Sequence, residues 1–202
     1  IARRLAFVRR LETEEERSRT VDLLRNILPI PIADRLLKEP GMIAERHASV
    51  TVLFADIVGF TPWASSCEAD EVGGVLDEIF SEFDALCDKH GVEKIKTIGD
   101  AYMVAGGLHP DDDPVRATEQ MVTLGVELFR LLDEVAEAHG ISLGLRVGIH
   151  CGPLIGGVIG TTRLAYDVWG DTVNVASRME SHGLEGHLQL STAAHRRVAG
   201  TR

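Results

Sequence analysis

An aspartate stands in the middle of an apolar run of residues. Asp56 lies in TVLFADIVGFTPW, residues 51–63, whose pattern predicts a buried β-strand. A buried ionised carboxylate is costly unless it is paired or binds a metal ion, and no Lys or Arg lies within six residues of it. After the strand, Gly59 allows a turn, Thr61 is a good N-cap and Pro62 suits the first position of a helix. Because free N–H groups at a helix start attract anions, this stretch predicts a metal and phosphate site.

A second aspartate occurs in a similar setting. Asp100 lies between two strand-like runs in KIKTIGDAYMV, 44 residues after Asp56. A single Gly-Asp pair of this kind is more typical of an ordinary turn. Two such aspartates at one end of a sheet could instead hold two divalent ions, which is the arrangement that phosphoryl or nucleotidyl transfer uses.

A third segment, residues 165–181, combines polar side chains with helical spacing. Its sequence is AYDVWGDTVNVASRMES, in which Asp171 and Thr172 are candidate N-caps. Asn174 and Arg178 follow at i and i+4, on one face of the predicted helix. Such a pair usually consists of two ordinary surface side chains. The apolar residues around Asn174 and Arg178 instead favour a pair with a specific polar role.

The elements that must position these residues alternate between short β-rich runs and longer amphipathic stretches. Strands are predicted at 50–58, 92–98, 101–106 and 143–151, extended segments near 154–168, and helices at 68–90, 114–139 and 171–181. The order strand, helix, strand, strand, helix, strand indicates an α+β fold of the ferredoxin-like or palm type, with a split βαβ sheet. In such a sheet the first strand commonly neighbours the following hairpin, which would bring Asp56 and Asp100 together.

Composition restricts the possible partners. The 202 residues carry a net charge of -10 and a pI near 5.2, which argues against binding to a nucleic acid. Cys67, Cys87 and Cys151 share no CxxC spacing, so neither a disulfide framework nor a zinc site is indicated, and the reducing cytosol is the expected compartment. No run of 18 apolar residues and no signal peptide are visible.

Residues 1–45 differ from the rest and predict a helical extension. The first 28 residues contain no Gly and place apolar side chains three and four positions apart, which indicates one helix. Pro29 and Pro31 end or bend it, and IADRLLKEPG predicts a short second helix. The charged side chains of this segment either form an ordinary solvated helix face or have a specific role in recognising charges. If the chain derives from a membrane protein, the cytoplasmic side of a preceding span is marked by Arg3, Arg4, Arg9 and Arg10.

Four stretches together resemble one known family. FADIVGFT, KIKTIGDAYM, RVGIHCGP and YDVWGDTVNVASRMES occur in this order and are similar to the catalytic domain of the class III adenylyl and guanylyl cyclases, over roughly residues 48–198. The resemblance implies conversion of a nucleoside triphosphate to its 3′,5′-cyclic monophosphate and pyrophosphate. It also implies that two catalytic domains share active sites at their interface.

The resemblance assigns metal and phosphate ligands. Asp56 and Asp100 match the family's two metal-binding aspartates, which would hold two Mg²⁺ or Mn²⁺ ions per site for attack of the ribose 3′-hydroxyl on the α-phosphorus. The backbone carbonyl of Ile57 matches a further metal contact. The phosphate cradle corresponds to Gly59, Phe60 and Thr61.

The resemblance also assigns residues that act on the ribose and the base. Asn174 matches the residue that orients the ribose, and Arg178 the one that stabilises charge on the α-phosphate. Lys96 and Asp167 match the purine-selecting pair, and a Lys donor with an Asp acceptor suits N1 and the 6-amino group of adenine. Guanylyl cyclases usually place Glu and a small residue here, so ATP is the expected substrate.

The protein expected from this resemblance is a homodimeric adenylyl cyclase. One chain would supply the metal ligands, and the other would supply Lys96, Asp167, Asn174 and Arg178. Residues 46–202 would form the catalytic domain, which lacks the family's KGKG-like stretch and is therefore expected to be truncated at its C-terminal end. Residues 1–45 resemble a signalling helix that would dimerise as a parallel coil below an upstream membrane domain, on the cytoplasmic side. Two alternatives stay open: a guanylyl cyclase, and a regulatory domain that binds nucleotide without turnover.

Overall fold

The strands and helices follow the predicted order. The computed structural model describes residues 18–24, 27–38, 42–159 and 164–200. Residues 18–24 are helical, and the predictions for residues 1–17 lie outside the described residues. The strands are β1 (Ile43–Val58), β2 (Glu93–Ile98), β3 (Ala101–Gly106), β4 (Gly144–Ile159), β5 (Ala165–Trp169) and β6 (Leu188–Leu190). The helices are α1 (Ile30–Lys38), α2 (Phe60–Ala64), α3 (Ala69–His90), α4 (Pro114–His139), α5 (Asp171–Ser181) and α6 (Thr192–Ala199).

The strands form one mixed sheet in the order β2-β3-β1-β4-β5, with β6 beside β4. β2 and β3 form an antiparallel hairpin, and β3 also pairs antiparallel with β1. β6 runs parallel to β4. The predicted α+β fold with a split βαβ sheet is therefore confirmed, and β1 does neighbour the hairpin.

Two long helices, α3 and α4, pack on this sheet and close its main apolar core. Phe83 of α3, Tyr102 of β3 and Leu128 of α4 are each fully buried in this core. Burial of side chains of this size stabilises a fold by about 1.5–3 kcal/mol each. Side chains also join the two helices at their exposed edges, because His139 contacts Glu78 at 2.8 Å and Lys89 contacts Glu127 at 2.8 Å.

Some element bounds differ from the predicted ones. α4 and α5 begin and end where predicted, but β1 begins at Ile43 rather than at residue 50, and β4 continues to Ile159 rather than ending at 151. The early part of β1 is rich in charged residues and the late part of β4 in glycine, so neither has the apolar pattern of a core strand. Neither β6 nor α6 was predicted.

The described residues fall into two compact units. One contains those within Ile1–Glu45 together with Gly157–Asp167, and the other contains those within Arg46–Gly156 and Val168–Arg202. In the first unit α1 forms the short second helix that the sequence predicts, and Arg35 makes an ion pair with Glu45. A domain division into residues 1–45 and 46–202 stays a prediction. Within the described ranges, no helix is both long and apolar enough to cross a bilayer.

A histidine near the middle of β4 contacts the start of α6. Nδ1 of His150 lies 2.7 Å from the hydroxyl oxygen of Ser191. That oxygen also accepts a hydrogen bond from the Ala194 N–H, so Ser191 is the side-chain N-cap of α6. His150 therefore helps to hold α6 against the sheet.

Protonation of His150 is expected to weaken the fold. Burial lowers the pKa of His150, with Asp171 opposing and Arg197 reinforcing this effect. The unfolded chain therefore binds the proton more readily than the folded chain does. The contribution of neutral His150 to the stability of the fold is present above the unfolded pKa of about 6.5 and is lost as the pH falls through the folded pKa. His150→Gln should therefore lose less thermal stability than the wild type between about pH 7.5 and pH 5. His195→Gln, which alters an exposed histidine of α6, should follow the wild type; if both variants follow it, His150 is not the group responsible.

Candidate active site

The pairing of β1 with β3 brings the two predicted metal ligands to the same end of these neighbouring strands. In the register of these strands, Asp56 lies opposite Ala101, which is the residue directly after Asp100 in the chain. The Ile57 N–H donates a hydrogen bond of 3.4 Å to the carbonyl oxygen of Asp100. Asp56 and Asp100 are both half-buried, whereas Ile57 is buried. Two carboxylates and the end of β1 thus form one polar cluster.

The turn after β1 differs from its predicted form. Helix α2 begins at Phe60, so Thr61 lies inside it, and the predicted N-cap role of Thr61 is wrong. Gly59 is the N-cap residue instead, with a φ of 84°, a left-handed conformation that glycine adopts without a steric penalty. The turn therefore needs the backbone freedom of Gly59 rather than a side-chain cap.

Arg146 is the partner of Asp56, and sequence reasoning did not find it. Its Nη2 donates a hydrogen bond of 2.7 Å to Oδ2 of Asp56, and its Nε donates one of 3.0 Å to Oε1 of Glu180. Arg146 is the one Arg or Lys in the run that forms the first half of β4. A signal was present in the sequence, since an isolated carboxylate and an isolated cation in two apolar strands require partners.

The charges of this cluster act on one another. Burial raises the pKa of Glu180; the hydrogen bond from Arg146 opposes this, and the negative charges of Asp56 and Asp100 add to it. Burial disfavours the charged form of Arg146, yet its bonds to Glu180 and Asp56 raise the pKa of the guanidinium overall. Arg146 contacts two carboxylates, those of Asp56 and Glu180, and the charge of Asp100 also acts on Glu180, so the cluster has an excess of negative charge that suits binding of a divalent cation.

Helix α5 presents the predicted Asn174 and Arg178 on one exposed face. The predicted capping by Asp171 and Thr172 is wrong, because Gly170 is the N-cap residue, with a φ of 142°, and no side chain caps the helix. The Thr172 hydroxyl instead donates a hydrogen bond of 2.6 Å to the carbonyl oxygen of Pro153. This bond attaches the start of α5 to β4.

The predicted base-selecting residues lie on two other strands. Lys96 is half-buried on β2, beside an irregularity in the pairing of β2 with β3. Asp167 is half-buried on β5 and belongs to the other compact unit.

The donors of the polar cluster fit a hard divalent ion. In the part of the chain that the structure describes, no group of three or more His, Cys, Asp or Glu side chains could hold a metal ion. Asp56 and Asp100 alone supply two carboxylates, and Mg²⁺ typically binds to one or two carboxylates plus substrate phosphates rather than to a complete protein cage. Oxygen donors of this kind suit a hard divalent cation.

Comparisons with known proteins agree with this fold. The family model of the adenylate and guanylate cyclase catalytic domain matches residues 42–201. The germination-specific adenylate cyclase of Dictyostelium discoideum is 45% identical over 84% of this chain and 20% of its own length. An adenylate cyclase of Mycobacterium bovis is 43% identical over 92% of this chain and 42% of its own length. Guanylate cyclases are also among the similar proteins.

A solved structure shows the same architecture. The adenylyl cyclase CyaB from P. aeruginosa superposes with a TM-score of 0.74 at 28% identity, over 78% of this chain and 83% of that one. The sheet and its helices are those of a cyclase domain. The chain belongs to the family of adenylate and guanylate cyclase catalytic domains. It spans less than half of the length of the two curated relatives described above.

Proposed function

We propose that this chain is the catalytic part of an adenylyl cyclase, which converts ATP to 3′,5′-cyclic AMP and pyrophosphate. The observation that carries the proposal is the pairing of β1 with β3, which sets Asp56 beside Asp100 at the same end of the two strands. Relatives named adenylate cyclase are 43% and 45% identical over most of the chain, which supports ATP as the substrate.

In this proposal Asp56, Asp100 and the carbonyl of Ile57 hold two Mg²⁺ or Mn²⁺ ions. When bound, such ions activate the ribose 3′-hydroxyl and bind the triphosphate. The turn formed by Gly59, Phe60 and Thr61 contacts the phosphates. Asn174 orients the ribose, and Arg178 stabilises the negative charge that develops on the α-phosphate. The exposed guanidinium of Arg178 suits this role because its planar fork of N–H donors matches the geometry of phosphate oxygens.

The proposed site is shared between two copies of the chain. The metal ligands come from one protomer, and Lys96, Asp167, Asn174 and Arg178 come from its partner. In the full-length protein, residues 1–45 would join the dimer to an upstream membrane domain, with the segment from Pro29 to Pro40 as the joint between that domain and the catalytic one.

Lys96 and Asp167 provide the test of substrate choice. Wild-type chain with Mn²⁺ should prefer ATP over GTP in kcat/KM by about 10²-fold or more, because a site built for one hydrogen-bond pattern leaves polar groups unpaired against the other. Lys96→Glu combined with Asp167→Cys should lose about 10²-fold in cyclic AMP formation. Both products are measured by chromatography and mass spectrometry.

The control for this test is Lys89→Glu, which alters an exposed lysine that is 61% accessible. It should keep the wild-type rate, since an exposed ion pair contributes at most about 1 kcal/mol. Unchanged ATP cyclisation in the double variant would refute the assigned base-selecting role. A wild-type preference for GTP would favour the guanylyl cyclase alternative, and nucleotide binding without any cyclic product would favour a regulatory domain.

A further inference from the structure

The guanidinium of Arg146 raises an electrostatic problem at the proposed metal site. It lies 2.7 Å from Oδ2 of Asp56, so its positive charge stands beside a carboxylate that is proposed to bind divalent cations. Two like charges a few ångströms apart repel strongly where water is partly excluded. Arg146 and Asp56 are only 30% and 22% exposed, so solvent screens this repulsion incompletely. Some other group must offset the charge of Arg146 if Asp56 is to bind a cation tightly.

Glu180 is placed to offset that charge. It is 7% exposed, and its Oε1 accepts the hydrogen bond of 3.0 Å from Nε of Arg146. A glutamate is rarely buried to this extent without a partner of opposite charge. The guanidinium thus uses one nitrogen for Glu180 and another for Asp56, and Oδ2 is the oxygen of Asp56 that it contacts. The other oxygen of Asp56, Oδ1, can then face a metal ion.

We propose that Glu180 is a positioning residue of the divalent-ion site: through its ion pair with Arg146 it offsets the guanidinium charge and orients Asp56 for the ion. The inference rests on the proposed function, because it concerns the same metal ligands. It assigns to Glu180 a role that acts through Arg146, without contact to substrate or ion. Hydrogen-bond partners of metal ligands commonly have this effect on affinity.

The test measures Mn²⁺ binding without nucleotide, by water-proton relaxation, with the Asp56→Asn chain as the baseline. Glu180→Gln should bind Mn²⁺ about tenfold more weakly than the wild type, within the range found for outer partners of metal ligands. In the Glu180→Gln/Arg146→Met chain the unbalanced charge is gone, so affinity should return to within about threefold of the wild type. A residue that only stabilised the fold would not be rescued by removal of its partner.

Two further variants keep the test decisive. Glu137→Gln, at an exposed position of α4, removes one negative charge away from the cluster and should bind Mn²⁺ like the wild type. Glu180→Asp keeps the charge and should stay within about threefold of the wild type, even if Glu180→Gln does not fold. A tenfold loss in Glu180→Asp would contradict the inference.

The remaining outcomes separate this inference from the proposed function. Wild-type affinity in Glu180→Gln, or a Glu180→Gln defect that Arg146→Met does not restore, would overturn the role of Glu180 and leave the metal site standing. Wild-type binding no better than that of Asp56→Asn would overturn the proposed metal site and the inference together.

Discussion

An equimolar mixture of Asp56→Ala and Arg178→Ala chains is expected to regain about a quarter of the wild-type rate of cyclic AMP formation. Each variant alone should lose about 10³-fold or more, since one lacks a proposed metal ligand and the other lacks the charge that is proposed to stabilise the transition state. In a shared-site dimer the two defects fall in the same site of the heterodimer. The opposite site keeps an intact Asp56 and an intact Arg178.

The expected recovery follows from random pairing of the chains. Half of the dimers are then heterodimers, and each has one intact site of two, which amounts to about a quarter of the wild-type sites. The rate is measured with ATP and Mn²⁺ after the mixture has equilibrated. A mixture of Asp56→Ala with Asp100→Ala is the control and should stay inactive, because each site then lacks one metal ligand. If the first mixture also stays inactive, the shared-site model is wrong.

Gly148→Ala is expected to destabilise the protein by about 3 kcal/mol or more. A Cβ at Gly148 would lie 2.0 Å from the backbone nitrogen of Glu180 and 2.5 Å from the carbonyl carbon of Met179. These are backbone atoms, so helix α5 must move away from β4 to make room. Because α5 carries Glu180, Asn174 and Arg178, cyclase activity should fall together with stability.

Gly73→Ala is the matched control for this substitution. Gly73 is an exposed residue of α3, and a Cβ there would meet nothing within 4 Å. Alanine should stabilise this helix position by about 0.5–1 kcal/mol, because glycine loses more conformational entropy on folding. Urea unfolding measures both variants. An unchanged midpoint for Gly148→Ala would show that α5 approaches β4 less closely than the structure indicates.

The order of elements and the position of the paired aspartates followed from the sequence. The long helices have clear apolar periodicity, and α4 and α5 begin and end at the predicted residues. The convergence of Asp56 and Asp100 followed from the topology of a split βαβ sheet, in which the first strand neighbours the hairpin. These features depend on local pattern and on a common connection rule, so the chain alone was sufficient to predict them.

The predicted caps of two helices were wrong for a shared reason. Thr61, Asp171 and Thr172 have side chains typical of N-caps, but Gly59 and Gly170 begin the two helices with positive φ angles. Side-chain preference indicates where a helix can start. The path of the chain between packed strands decides which residue must take the unusual backbone conformation, and that path is a tertiary property.

The sequence by itself determined which residues are candidates for chemistry: the two aspartates in apolar strands, the Asn and Arg one helical turn apart, and the Lys and Asp that match the purine-selecting pair of the family. Only the tertiary structure decided the partner of Asp56. Arg146 lies 90 residues from Asp56 and 34 from Glu180 in the chain, and no local pattern links residues so far apart. They meet because their elements pack together and because charges in a partly buried space require partners of opposite sign.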